Sequence, residues 1–377
     1  MKRILTLLLM LAGLAAAAQN SPKYEQFKEL RDKADTLGMM RMLDEWGDKD
    51  PEYYSAWANY CQVMAEETEE ESWMPMSVNW VRMGREEFPD NELLHHKLAE
   101  VLFGADYNEE AFTVLKEIEE RGIADASTWR LLAGCCLMSN DLDKVRKYLS
   151  LLIRDGDEED REFARESLEA VDKTDSLRNS QLLRLDHDAL RKQAETPEFP
   201  QLIARFEACD STLTREEIAS VYYGSAYLKD YNLVSRNSQD IEQLAEEEKF
   251  DEASAALREK LKEYPVSLFL IVSLYNLSED EQESQACAWK ANALLGTIDS
   301  SGRCTPEKPL QVICVNDEYM ALGHIFEMQD LREQKLVECP ALTPQDRMTI
   351  LNSYGMEQVI HFYLTPPYWT RLSAMME

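Results

Sequence analysis

Apolar positions between residues 91 and 156 come back at a fixed interval. Leu98, Ala99, Leu102, Ala111, Leu115 and Ile118 return 34 places later as Leu132, Ala133, Cys136, Val145, Leu149 and Leu152. Within each block the spacing of three and four predicts two amphipathic helices. Tyr107-Asn108-Glu109-Glu110 and Asn140-Asp141-Leu142-Asp143 are the matching turns. Both supply capping residues and place acids ahead of the second helix, where its dipole favours them. Ala99 and Ala111 let the two backbones approach, and the leucines fill the seam. Such a hairpin leaves an apolar face open, so the repeat predicts stacking into a solenoid.

The beat extends backwards. Stepping 34 residues before Ile123 lands on Pro89, and Ser77, Val81 and Gly84 then take the packing sites of a second helix. Trp57, Tyr60, Cys61 and Met64 form the first helix of that pair, with four extra residues absorbed in the acidic stretch 66–71. Ahead of Pro51, Tyr24, Phe27, Leu30, Ala34 and Leu37 make one helix, and Met39, Leu43 and Trp46 a short second one. Four hairpins are therefore expected between residues 22 and 156. In length and residue size they resemble tetratricopeptide repeats, although that family's usual Trp-Leu-Gly-Tyr set is mostly missing. The resemblance implies an interaction scaffold holding a peptide or partner helix in a concave groove. No basic clamp of lysine, arginine and asparagine stands out, so no particular peptide class follows.

Residues 172–195 turn polar and charged, which reads as a connecting helix and a boundary near 180/181. Pro200 then starts a helix with Leu202, Ile203 and Phe206, and Thr214-Arg215-Glu216-Glu217 has capping-box spacing. Two more hairpins are expected over 240–265 and 268–295. Beyond Gly296 the period changes. Residues 310–315 read as a strand followed by a tight turn at Asn316-Asp317. Residues 318–326 read as a returning strand, with a helix as the competing reading. Further strands are expected over 333–338 and 358–364. A helix is expected between them, capped by Thr343, started by Pro344, ended by Gly355 and bearing Met348, Leu351 and Tyr354. The expected fold is mainly α: a tetratricopeptide-like solenoid over 19–180, then an α+β domain over 181–377 with helical hairpins and a small antiparallel sheet.

The second half resembles an uncharacterised family called domain of unknown function 4919. The matching residues are Val221-Tyr222-Tyr223-Gly224 with Tyr231, and Ser301-Gly302 leading through Val312-Ile313 to Asp317-Glu318-Tyr319. A closing strand, Ile360-His361-Phe362-Tyr363, fits its end, so the resemblance covers about 185–370. Arg303-Cys304 stands where a second glycine is expected soon after Gly302. The resemblance implies an exported protein of Bacteroidota and marks Tyr222, Tyr223, Gly224, Gly302, Glu318 and Tyr319 as motif residues. It implies no reaction.

The front end agrees on compartment. Lys2 and Arg3 precede an apolar run over 4–14, and Ala16-Ala17-Ala18 supplies a small-residue exit, so a secretory leader cleaved near Ala18 is expected. No cysteine follows that run, and it is too short to span a bilayer. No transmembrane segment is expected in the mature chain, which should be periplasmic or secreted. The net charge of −31 becomes −33 once Lys2 and Arg3 leave. Such acidity repels phosphate backbones, so nucleic acid is excluded as a partner. Of eight cysteines, Cys61, Cys136 and Cys287 sit at small buried positions, while Cys304, Cys314 and Cys339 are the candidates for any disulfide.

Catalytic signatures are missing: no H-E-x-x-H, Ser-x-x-Lys or phosphate loop occurs, and Gly224-Ser225 follows a helix rather than a strand. His95, His96 and Glu100 form the best metal constellation, yet nothing nearby supplies further ligands. Residues 155–166 invite a calcium reading, but Asp160 stands where the loop needs glycine. No metal or cofactor is expected. Asp317, Glu318 and His361 are the one acid–base set, with His187 and His324 as substitutes. A buried Glu318 satisfied by backbone donors or a tyrosine is the favoured reading, and Tyr222, Tyr223 and Tyr231 are expected to pack. The leading functional expectation is an exported interaction or scaffold protein engaging a protein or peptide at the cell envelope. The alternative is an envelope hydrolase acting on glycan or peptide around Glu318 and His361. A glycan-binding accessory ranks third.

Overall fold

The structure is a computed structural model that describes residues 20–229, 231 and 239–376. The expected leader lies outside them. Two compact units divide the chain, one running to Asp175 together with Tyr354–Gln358, the other comprising Ser176–Ser353 with the residues from Val359 on.

The first unit contains the four expected hairpins: α1 (Pro22–Asp32) with α2 (Thr36–Asp44), α3 (Pro51–Thr68) with α4 (Trp73–Glu87), α5 (Glu92–Gly104) with α6 (Asn108–Arg121), and α7 (Ala126–Met138) with α8 (Leu142–Asp155). The long α9 (Glu158–Ser180) follows. First helices touch their counterparts in the next hairpin, α3 on α5 and α5 on α7, so the pairs stack as a tetratricopeptide-like solenoid. The first helices start at capping side chains. Asp50 accepts from the Tyr53 amide with Pro51 at the first helical position, Asn91 accepts from Leu94, and Asp125 and Thr128 form a reciprocal capping box.

One backbone device closes the hairpins. Ala34, Asp106 and Asn140 take left-handed φ values of 50°, 60° and 56°. In each case the next amide donates back five residues, Asp35 to Leu30 O, Tyr107 to Leu102 O and Asp141 to Cys136 O. This satisfies a carbonyl that the helix end would otherwise leave open. The second unit repeats it at Cys209 (φ 54°) and Glu248 (φ 59°), with Asp210 bonded to Arg205 O and Lys249 to Leu244 O.

That second unit begins with α10 (His187–Ala194), α11 (Phe199–Glu207) and α12 (Arg215–Ser225). Thr214 and Glu217 make the predicted capping box on α12. The hairpins α13 (Gln239–Glu246) with α14 (Phe250–Glu263) and α15 (Leu268–Leu277) with α16 (Glu281–Asp299) follow. Then come β1 (Leu310–Val312), α17 (Val315–His324), β2 (Met328–Val337), β3 (Gln345–Asn352), β4 (Glu357–Leu364) and α18 (Pro366–Met376). The sheet order is β1-β4-β3-β2. β1 runs parallel to β4 with Leu310 opposite Phe362, and β2 antiparallel to β3 with Gln334 opposite Met348. The sheet is thus mixed rather than wholly antiparallel. Met348, Ile350, Ile360 and Phe362 share one core with Ala321, Leu322 and Leu294.

Three local expectations are corrected. The first strand stops at Val312, and Asn316-Asp317 is no turn but the first turn of α17. Residues 318–326 do not return as a strand: Asp317 and Glu318 are first-turn acids of α17. The expected helix over 343–355 is β3. The β-branched Thr349-Ile350 centre favours the pleat, and Met348 and Ile350, two apart, both reach the core.

An L-residue in the left-handed region costs about 1–2 kcal/mol that glycine avoids. Ala34→Gly and Glu248→Gly should therefore each raise the urea midpoint, with a gain in unfolding free energy of up to about 1 kcal/mol after glycine's own entropy cost. Lower midpoints for both would show that these turns carry no strain.

Candidate functional site

Tyr222 and Asp317 of the motif stretches meet at a buried node between α12 and α17. Tyr222 on α12 donates its hydroxyl to Asp317 Oδ2 at 2.7 Å, and the same oxygen of Tyr222 accepts from the Ile313 amide at 3.3 Å. Tyr223 donates to Gln311 O at 2.9 Å. Both tyrosines are buried, so they pack and bridge. Gly224 allows α12 to lie against Phe199, whose ring would be 2.8 Å from any added Cβ. At Gly302 a Cβ would meet Pro309 O at 2.1 Å, so that glycine is demanded by close approach of two backbone segments. Ser301 Oγ beside it accepts from the Gln311 amide at 2.7 Å. Cys304, which stands where a second glycine is expected, takes a left-handed φ of 64°.

Asp317 is 2% exposed, and burial pushes its carboxyl up to about 6, with the Tyr222 and Cys314 hydrogen bonds pulling back. Glu318 is 0% exposed and differs from its expected state: among the described residues neither carboxyl oxygen has a hydrogen-bond partner. Burial, then the nearby Asp346 and Asp317 charges, raise it well above the usual carboxylate range. Asp346 on β3 is raised by burial too, while Gln334 Nε2 donates to its Oδ2 at 2.6 Å. Tyr319 donates to Gln334 Oε1 at 2.8 Å. Sequence does not single out Asp346, because helical spacing over 343–355 puts the polar positions of β3 on a solvated face.

His361 is not brought to these acids. Its Nδ1 pairs with Gln345 Oε1 at 3.0 Å, and Gln345 Nε2 donates to Pro306 O and Leu342 O at 2.8 and 2.7 Å. Strand alternation puts it on the face opposite Ile360 and Phe362. Burial lowers its pKa. His187 bonds Gln311 Oε1 at 2.9 Å. Among the described residues no hydrogen bond joins His361 to Asp317 or Glu318.

In the first unit the metal candidates are spent on packing. His95 Nε2 bonds Pro89 O at 2.9 Å, His96 Nε2 bonds Ile123 O at 3.0 Å, and Glu100 faces Lys97. Lys97, 4% exposed, places its three protons on Asn59 Oδ1 (2.5 Å), Gln62 Oε1 (2.7 Å) and Glu100 Oε1 (2.6 Å). Tyr24 extends this network, accepting from Asn59 Nδ2 at 3.2 Å. It spans α1, α3 and α5. Of the candidate calcium loop, Asp155 accepts from Trp129 Nε1 at 2.9 Å and Asp160 pairs with Arg130. Among the described residues no three His, Cys, Asp or Glu side chains are placed to hold a metal ion, and the eight cysteines are free thiols.

The fold and these interiors define a helical-repeat protein with a C-terminal α+β domain. Residues 187–349 match the family described as Domain of unknown function (DUF4919), so that stretch is similar to it. No curated protein matches the chain.

A buried acid with a raised pKa binds its proton more tightly in the fold than in the unfolded chain. The stability it contributes is complete below the unfolded value near 4 and is lost as pH rises, through about 6 for Asp317 and higher for Glu318. Glu318→Gln should therefore raise the denaturant midpoint at pH 8 and flatten its decline between pH 5 and 8. Identical pH profiles for both proteins would refute a neutral Glu318.

Proposed function

We propose that this chain is an exported interaction or scaffold protein that engages a protein partner at the cell envelope through its stacked hairpins. The leader-like front end and the resemblance of the C-terminal half support the compartment. The observation that carries the reading is an open apolar stripe on α4. Met76 and Met83 are 40% and 46% exposed, and Trp80 lies between them, one helical turn from each. Trp80 stacks on Trp57 with centroids 4.8 Å apart and planes 12° apart, which fixes the stripe rigidly. Anchors at i, i+4 and i+7 are the pattern by which helices seat in partner grooves. The first helices are poorer candidates for contact, since Lys97 and Arg130 are already paired inside the unit.

Photo-crosslinking of the mature chain in envelope extracts should yield a partner that the Met76→Glu/Met83→Glu variant loses, with circular dichroism unchanged. Retention of the same crosslinked species by the variant would remove this surface from the account.

A further inference from the structure

The apolar stripe of α4 is bracketed by acids that the fold does not use. Met76, Trp80 and Met83 span two helical turns, roughly 10 Å of axis. Just before them, the turn from α3 into α4 carries Glu66, Glu67, Glu69, Glu70 and Glu71, all exposed. Glu69 takes a left-handed φ of 55°, so the chain reverses there and keeps all five at the end of the hairpin where α4 begins. Glu86 and Glu87 follow Met83 at the far end and are exposed as well.

Architecture does not account for the five. Glu66 and Glu67 lie in the last turn of α3, where the helix dipole opposes a negative charge and no basic residue offsets it. The first residue ahead of α4, Ser72, makes no capping bond. Among the described residues none of the five carboxylates accepts a hydrogen bond or forms an ion pair. The two arginines of α4 are neutralised instead: Arg82 pairs with Glu110 at 2.7 Å and Arg85 with Glu117 at 3.3 Å. The open methionines are therefore flanked by uncompensated negative charge.

We infer that the occupant of this stripe is a cationic amphipathic helix, apolar on one face and flanked by lysine or arginine. Its apolar face covers Met76, Trp80 and Met83, methionine being a side chain that adapts to a partner's contour. Its cations meet the glutamates of the α3–α4 turn, which steer the approach and set the direction in which the helix lies. A second copy of this chain is a poor occupant, because a net charge of −31 makes two copies repel. The inference rests on the stripe being a docking surface and adds the chemistry of the partner.

Fluorescence anisotropy of the full mature chain with three labelled model peptides tests it. Each is about 15 residues, long enough to form helix, with leucine at i, i+4 and i+7. They carry lysine, glutamine or glutamate at the same flanking positions. The lysine peptide should bind about tenfold more tightly than the glutamine peptide, and the glutamate peptide least. High salt should shrink that advantage. The variant Glu67→Gln/Glu69→Gln/Glu70→Gln/Glu71→Gln should weaken the lysine peptide about tenfold and leave the glutamine peptide unchanged. It removes exposed, unpaired charges, so it keeps the fold, which circular dichroism checks. Met76→Ser/Met83→Ser should weaken both peptides. Equal affinity for the lysine and glutamine peptides, lost in the methionine variant, would leave the docking surface standing and overturn the cationic partner. Lysine-peptide binding that ignores the methionine variant, or no binding of any peptide, would overturn it as well.

Discussion

A helical hairpin hides only the seam between its own two helices, and whatever apolar surface remains must be covered by the next pair. In the first unit that requirement is met to an unusual degree at α7, where every side chain from Thr128 to Met138 is buried. Complete enclosure of a first helix has a cost, because polar residues on it can no longer reach water. Lys97 meets that cost with three acceptors on two helices, and Arg130 with Asp160 and the Phe163 ring, 4.6 Å from its guanidinium carbon. Such fully satisfied networks fix register between neighbouring pairs, since a shifted helix would strand a buried charge. The same enclosure removes these cations from use as a peptide clamp.

The repeat was legible because its signals are local and redundant. The 34-residue interval, the acids after each turn and the capping side chains at Asp50, Asn91 and Asp125 each point to the same boundaries. The left-handed turns were not legible. Ala34 and Glu248 occupy positions where glycine is the usual marker, and only the backbone reveals them. The sheet was half legible. Met348, Leu351 and Tyr354 have helical spacing, but the strand that actually forms is selected by Met348 and Ile350 facing the core and by pairing with β2. That pairing is a distant contact, which no local window contains.

The acidic node shows a different limit. Tyr222, Asp317 and Gly302 all belong to the motif stretches, and the structure gives each a mechanical role. Tyr222 is a buried hydroxyl bridge, Asp317 its acceptor, and Gly302 a backbone crossing with no room for a side chain. Sequence could show that these residues form a motif, but not whether they serve chemistry or architecture. Glu318 is the exception among them, because no hydrogen bond among the described residues accompanies its burial. Burial first, and then its neighbours, push its pKa above the usual carboxylate range. Asp317 and Asp346 lie close enough to oppose a second negative charge, and a neutral acid is the form that such a site favours.

If the motif is architectural, then the surfaces that distinguish this chain should lie away from it. The α4 stripe follows that rule, since it lies in the first unit, outside the matched residues 187–349. The link between α9 and α10 precedes the match as well, and it is extended rather than helical, with alternate residues Leu183 and Leu185 turned against the core and Arg184 exposed between them. The period-2 pattern of this short link therefore separates its apolar face from its charged one.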